Sequence, residues 1–177
     1  MPKNSNEQIE QDEKKILHEL SKNANKSIND IAKKLGFSRQ KVWRTVKNLE
    51  KNNTIWGYVA VINQEKLNKK VYMMLMKRTN KPVPKEVLNH IISREIIDRV
   101  KKWNVQFINS IYLNGKYDYV ICFSAHTLKD AKNVVELYYK LYPDIISQID
   151  LHEEMFIVQN SGINNPEIKK IKDFFKT

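Results

Sequence analysis

Gln40, Arg44, Lys47 and Lys51 follow one another at steps of four, three and four residues. At about 100° per residue that spacing puts them on one face of a helix. Val42, Val46 and Leu49 fall on the opposite face. Glutamine and arginine can pair bidentately with adenine and guanine edges, while lysine acts as a point charge for phosphate. The pattern therefore points to recognition of a polyanion whose bases are also read. Arg39, Gln40, Trp43 and Arg44 sit toward the start of this helix, where base edges are mostly contacted. They are the candidate base readers. Lys41, Lys47 and Lys51 are the candidate phosphate contacts. Trp43 lies at the border of the two faces, where a tryptophan more often packs partly buried than stacks on a base.

The elements that must hold this helix are readable just before it. Ile9, Ile16, Leu17 and Leu20 mark a first helix on a charged background. Ser27, with Asp30 three residues on, is a capping-box start for a second helix, whose stripe is Ile28, Ile31, Ala32 and Leu35. Gly36 suits its left-handed end, Phe37 fills the turn, and Ser38 caps the third helix. Two amphipathic helices joined by a short glycine turn form a helix-turn-helix. Ser27 and Ser38 also mark helix N-termini that can bind phosphate, although capping alone explains them.

Charge follows the same division. The chain of 177 residues carries a formal +11. From Lys33 to Lys51 there are seven Lys or Arg against Glu50, whereas from Ile111 onward eight bases face nine acids. A basic N-terminal part and a neutral C-terminal part favour a nucleic-acid partner for the first. The single cysteine, Cys122, excludes a disulfide framework and a cysteine metal site. The polar start MPKNSNEQIE has no apolar signal region, and no apolar run reaches about 18 residues. A cytoplasmic protein without a membrane partner is expected.

Past Asn52-Asn53 the pattern shifts to β-branched and aromatic residues, predicting a strand over 55–62. INQEKLNKK is a polar linker. Beyond it the spacing predicts a strand at 71–77, a helix at 85–103 and a strand at 105–113. Asn114-Gly115 follows as a two-residue hairpin turn with both φ positive. Then come a strand at 117–125, a helix opened by Thr127 and ended by Pro143, and a strand within 145–158. A loop at 161–166 and a short basic helix in the tail close the sequence. The order β-α-β-β-α-β implies an antiparallel sheet with both helices on one face. Apolar side chains on both faces of these strands predict a homodimer that covers the other face.

The stretches DEKKILHEL, INDIAKKLGFSRQKVWRTVKNLEKNNTIWGY and LNGKYDYVICF together resemble the Lrp/AsnC family of regulators. The hairpin match, at the right distance from the helix-turn-helix, makes the resemblance specific. It covers the chain to about Gly162. The implied fold class is α+β, with an N-terminal winged helix-turn-helix and a ferredoxin-like βαββαβ domain. The expected division is 1–62 for DNA binding, 63–70 as linker, 71–160 for effector binding and dimerisation, and 161–177 as tail. The resemblance implies dimers, which often assemble into octamers, on double-stranded DNA. It also implies a small-molecule effector such as an amino acid, with Asn114, Gly115, Tyr117 and Asp118 as site candidates.

The chain departs from the family pattern in three places. Thr45 stands where arginine is common, and Asn53 where glycine is common. SQIDLHEEM replaces a final strand that usually carries threonines, which bears directly on amino-acid binding. The expected function is a sequence-specific DNA-binding transcription regulator, without cofactor, metal or catalytic residues. One alternative is an enzyme resembling the siroheme decarboxylases, which share this architecture. His18, His90, His126 and His152 are too scattered to suggest a metal site. The other alternative is a ligand-binding assembly module without DNA specificity.

Overall fold

The computed structural model describes residues 6–175. Three helices come first: α1 Asn6–Lys22, α2 Ile28–Leu35 and α3 Arg39–Lys51. Their apolar stripes meet in one small core of Ile16, Ile31, Ala32, Val42 and Val46, with Ile55 packed against it. Gly36 ends α2 at φ 67°, and its N–H reaches back to the Ala32 and Lys33 carbonyls. An added Cβ there would meet no atom, so glycine is required by the left-handed backbone rather than by crowding.

The predicted strand over 55–62 does not form. Residues 56–63 belong to no ladder, and Trp56 and Val59 stand 94% and 87% exposed. β-branched side chains favour an extended backbone, but a strand also needs a partner to take its hydrogen bonds.

A four-stranded antiparallel sheet dominates the remainder. Its strands are β1 Lys70–Arg78, β2 Gln106–Tyr112, β3 Tyr119–Ala125 and β4 Ile146–Glu153, in the order β2-β3-β1-β4. This is the split βαβ arrangement expected from the element order. Helices α4 Lys85–Ser93 and α5 Glu95–Lys101 connect β1 to β2, and α6 Leu128–Leu141 connects β3 to β4. Tyr72, Met74 and Met76 of β1 and Ile121 and Phe123 of β3 share a buried face with Val100 of α5 and Val134 of α6. Side chains alternate between faces. The opposite face therefore carries Met73 and Leu75, Val120 and Cys122, and Asp150 and His152, paired across the strands.

Two local expectations are corrected. The single helix predicted over 85–103 is broken at Arg94, which adopts φ 57°. Just before it the Ser93 hydroxyl donates to the His90 carbonyl, a local bond that competes with helix continuation. Asn114-Gly115 is not a two-residue turn either, because neither residue has a positive φ. The connection runs from Leu113 to Asp118 and closes through the Leu113 N–H on the Asp118 carbonyl at 2.8 Å. Asp118 is already committed to β1, its own N–H on the Met76 carbonyl and its carboxylate accepting the Arg78 N–H. That moves the start of the β3 ladder to Tyr119 and lengthens the loop.

Three loops of this part meet on His126. An amide nitrogen can only donate and a carbonyl can only accept. The Asn104 Nδ2 bond at 2.8 Å thus makes His126 Nε2 an acceptor, and Nδ1 donates to the Asn68 carbonyl at 2.8 Å. Asn68 and Asn104 both hold left-handed backbone at φ 53°, a conformation asparagine tolerates better than most residues.

Toward the C-terminus, β5 Gln159–Asn160 and β6 Ile163–Asn164 form a two-stranded ribbon, followed by α7 Ile171–Phe174. The tail loop predicted at 161–166 is thus partly strand. The chain separates into two compact units. One holds Met1–Val61 with Val158–Ile168, the other Ile62–Ile157 with Lys169–Thr177. Nothing in the sequence pattern signals the return of 158–168 to the first unit.

Phe123 is fully buried and its ring lies 5.8 Å from Tyr72 and 6.1 Å from Phe107. Phe123→Ala should cost about 3–5 kcal/mol of stability by urea denaturation. A loss under about 1 kcal/mol would mean that this is not the central core residue of the sheet.

Candidate nucleic-acid interface

Helix α3 is set down on its inner face by Val42, Val46 and Leu49, at 0%, 6% and 2% exposure. Its other face is left open: Arg39, Gln40, Trp43, Arg44, Lys47 and Lys51 are all exposed. The Ser38 hydroxyl accepts the Lys41 N–H at 3.2 Å and fixes where the helix begins. Ser27 does the same for α2, accepting the Asp30 N–H at 3.1 Å while donating to the Asp30 carboxylate. An open groove of about 440 Å³ lies between α1 and α3, lined by residues that include Ile9, Asp12, Ser38, Gln40 and Arg44. Glu50, the one carboxylate along α3, is held by Lys47 and by the Tyr58 hydroxyl.

Two acids on α1, Asp12 and Glu19, are nearly fully buried. Asp12 is 3% exposed and takes Lys41 of α3 as its ion-pair partner, with Gln8 Nε2 at 2.9 Å. Glu19 is 3% exposed and takes both Lys26 at 2.8 Å and Lys34 of α2 at 2.7 Å. Lys41 also lies 4.2 Å over the Phe37 ring. So α1 grips α2 through one carboxylate and α3 through the other. Lys41, a candidate phosphate contact by sequence, is held from within by Asp12. A signal was available: Asp12 and Glu19 stand four residues before and three after Ile16, on the helix's inward stripe.

In the sheet unit, Tyr117 and Asp118 go to different partners. The Tyr117 hydroxyl donates to Asp150 Oδ2 at 2.6 Å, and Gln148 Nε2 binds the same carboxylate. These bonds, from Tyr117 first and Gln148 second, hold Asp150 below its ordinary value. Asp118 is turned to β1 as described. Asn114 and Gly115 are exposed in the loop between β2 and β3. The structure thus joins Tyr117 to Asp150 and Gln148 on β4, a pairing that sequence distance conceals. Among the described residues, no helix is long and apolar enough to cross a membrane.

Residues 13–55 match the family model described as winged helix-turn-helix DNA-binding. The chain is 32% identical over 107 residues to the HTH-type transcriptional regulator LrpA of Pyrococcus horikoshii, covering 60% of this chain and 68% of that one. It is 31% identical over 130 residues to the HTH-type transcriptional regulator Ptr1 of Methanocaldococcus jannaschii, covering 73% and 79%. The chain belongs to the Lrp/AsnC family of transcription regulators. It is a DNA-binding transcription regulator. Among solved structures of the same fold, the transcriptional regulator NMB0573 of Neisseria meningitidis, in complex with L-Met, has a TM-score of 0.58 at 17% identity, covering 84% of this chain and 90% of that one.

Family membership leaves open how this chain braces its helices, and the buried acids supply an answer that acid can probe. Lys26 first and Lys34 second lower Glu19 to about 2 from its ordinary 4.5, against the opposing effect of burial. Lys41 lowers Asp12 in the same sense. Folding lowers both values, so the unfolded chain binds these protons more readily. The pairs therefore contribute fully above about pH 5, and the contribution drains as pH falls toward 2. In thermal melts of the full chain, Glu19→Gln should lower the midpoint at pH 7 and flatten its decline between about pH 5 and pH 2. Parallel curves for the two proteins would refute the role assigned to Glu19.

Proposed function

We propose that α3 is the reading element of a sequence-specific regulator, with Arg39, Gln40, Trp43 and Arg44 at base edges in the major groove. The observation that carries this is the exposed face of α3. Opposite its buried stripe it presents a guanidinium, an amide and ammonium groups, and its single carboxylate sits near the far end, neutralised by Lys47. Lys47 and Lys51 then meet phosphates. Ser27 and Ser38, as caps, orient N–H groups of α2 and α3 toward the same backbone. Lys41 contributes chiefly by orienting the helix from Asp12.

The protein acts as a homodimer, with higher assemblies built from it. Support comes from the helix-free sheet face, where Met73, Leu75 and Cys122 are only partly covered and Ile111 is 49% exposed. A second copy would bury that area. A small molecule such as an amino acid modulates it, bound through the Asn114–Asp118 loop with Tyr117 nearest the ligand. The L-Met complex of a protein with this fold is the precedent. Asn114 and Gly115 supply an open loop, and Asp118 keeps that loop attached to β1.

Selecting bound duplexes from random DNA at a fixed salt concentration tests the reading. The protein should enrich a two-fold-related motif, and binding should weaken as salt rises. Arg44→Ala should lose about 1–3 kcal/mol of discrimination at its base pair while the dimer survives in sedimentation. An unchanged selected motif would remove Arg44 from base reading.

A further inference from the structure

The match to a winged helix-turn-helix ends at residue 55, and residues 56–63 form no ladder. The sequence order thus supplies no β-hairpin after α3. The unit has one nonetheless. Val158–Ile168 belongs to the same compact unit as the three helices, and it contains the β5-β6 ribbon. Gln159 pairs with Asn164 and Asn160 with Ile163. The Asn165 N–H bonds the Val158 carbonyl at 3.0 Å. Ser161 and Gly162 turn the ribbon with φ of 48° and 79°, the left-handed pair that suits a tight hairpin.

Three properties of this ribbon bear on its partner. Every residue from 158 to 164 is exposed, so both faces are open. A lone two-stranded ribbon in water is marginal and gains order from whatever it lies against. Its polar chemistry is amide and hydroxyl, beside the exposed apolar side chains of Val158 and Ile163, and 158–166 contains no acid, although 111–157 has seven acids against four bases. A carboxylate-free surface of Asn, Gln and Ser donors is suited to a sugar–phosphate backbone, and a two-stranded ribbon fits a DNA groove.

We propose that the ribbon Gln159–Asn164 is the wing of the DNA-binding unit, contributed from the far end of the chain, and that it lies on the DNA backbone flanking the base pairs read by α3. This rests on the DNA-binding role given above. It makes the C-terminal segment part of the interface, and it makes binding depend on a stretch more than a hundred residues from the recognition helix.

The test uses the full chain and a duplex that the unaltered protein selects. One variant, Asn160→Asp with Asn164→Asp, places carboxylates on the exposed ribbon with little change of shape. Its control, Lys129→Gln with Lys132→Gln on the exposed side of α6, lowers the formal charge equally in the other unit. The ribbon variant should bind about ten-fold more weakly than the control. It should also lose hydroxyl-radical protection on the flanking backbone. Asn160→Lys with Asn164→Lys should bind more tightly than the unaltered protein, an outcome that misfolding cannot mimic. Equal affinities and identical footprints overturn the proposal. So does loss of self-association with the footprint unchanged at saturating protein, which would make the ribbon a contact between copies. No binding by the unaltered protein would overturn the DNA-binding role and the ribbon together, whereas unchanged binding by the variants overturns the ribbon alone.

Discussion

Two buried carboxylates on α1 hold the DNA-binding unit together. Helices of eight and thirteen residues, as α2 and α3 are, are too short to persist in water unaided. Their shared core is small, and much of the α3 surface is left open. Asp12 to Lys41 and Glu19 to Lys26 and Lys34 add directional links where apolar packing alone would let the helices slide. A buried carboxylate is costly unless it is paired and hydrogen-bonded. Both acids meet that condition, each through an ion pair with a lysine whose own side chain is only partly covered.

This arrangement changes what the positive charge of the unit means. Lys26, Lys34 and Lys41 count toward the formal basic excess, yet each is spent on an acid inside the fold. On the outer side of α3, Arg39, Arg44 and Lys51 are exposed, while Lys47 is paired with Glu50. That makes the open face of the helix more sharply defined than a count of bases suggests. It also separates two roles in one helix, since Lys41 sets its position while Gln40 and Arg44, its neighbours in sequence, point outward.

The sheet unit rests on different physics. Its helix-side face is a continuous apolar core from Tyr72 to Val134, and its other face mixes Met73, Leu75 and Cys122 with Asp150 and His152. Loops at 68, 104 and 126 are tied through one imidazole whose two nitrogens have opposite duties. At the other end Asp118 spends its carboxylate on the Arg78 backbone and so sets the length of the loop between β2 and β3. Tyr117, next to it, is free to cross to Asp150. Neighbouring residues in a motif that looks uniform in sequence thus divide into one that holds the loop to β1 and one that reaches across to β4.

Sequence by itself determined the helix-turn-helix, its caps at Ser27 and Ser38, the glycine at its turn, the outward face of α3 and the β-α-β-β-α-β order. These follow from short-range rules, since periodicity and capping act within a few residues. Tertiary structure alone decided the rest. It paired Asp12 with Lys41 and Tyr117 with Asp150, left 56–63 without a strand partner, broke the helix at Arg94, and returned Val158–Ile168 to the helical unit. Each of these depends on groups brought together from distant positions. Which group a buried carboxylate pairs with, and whether an extended segment finds its hydrogen bonds, is set by what lies across from it, and local pattern carries no record of that. The polar pattern of α3 showed where its face points, and the buried acids behind it show what keeps it there.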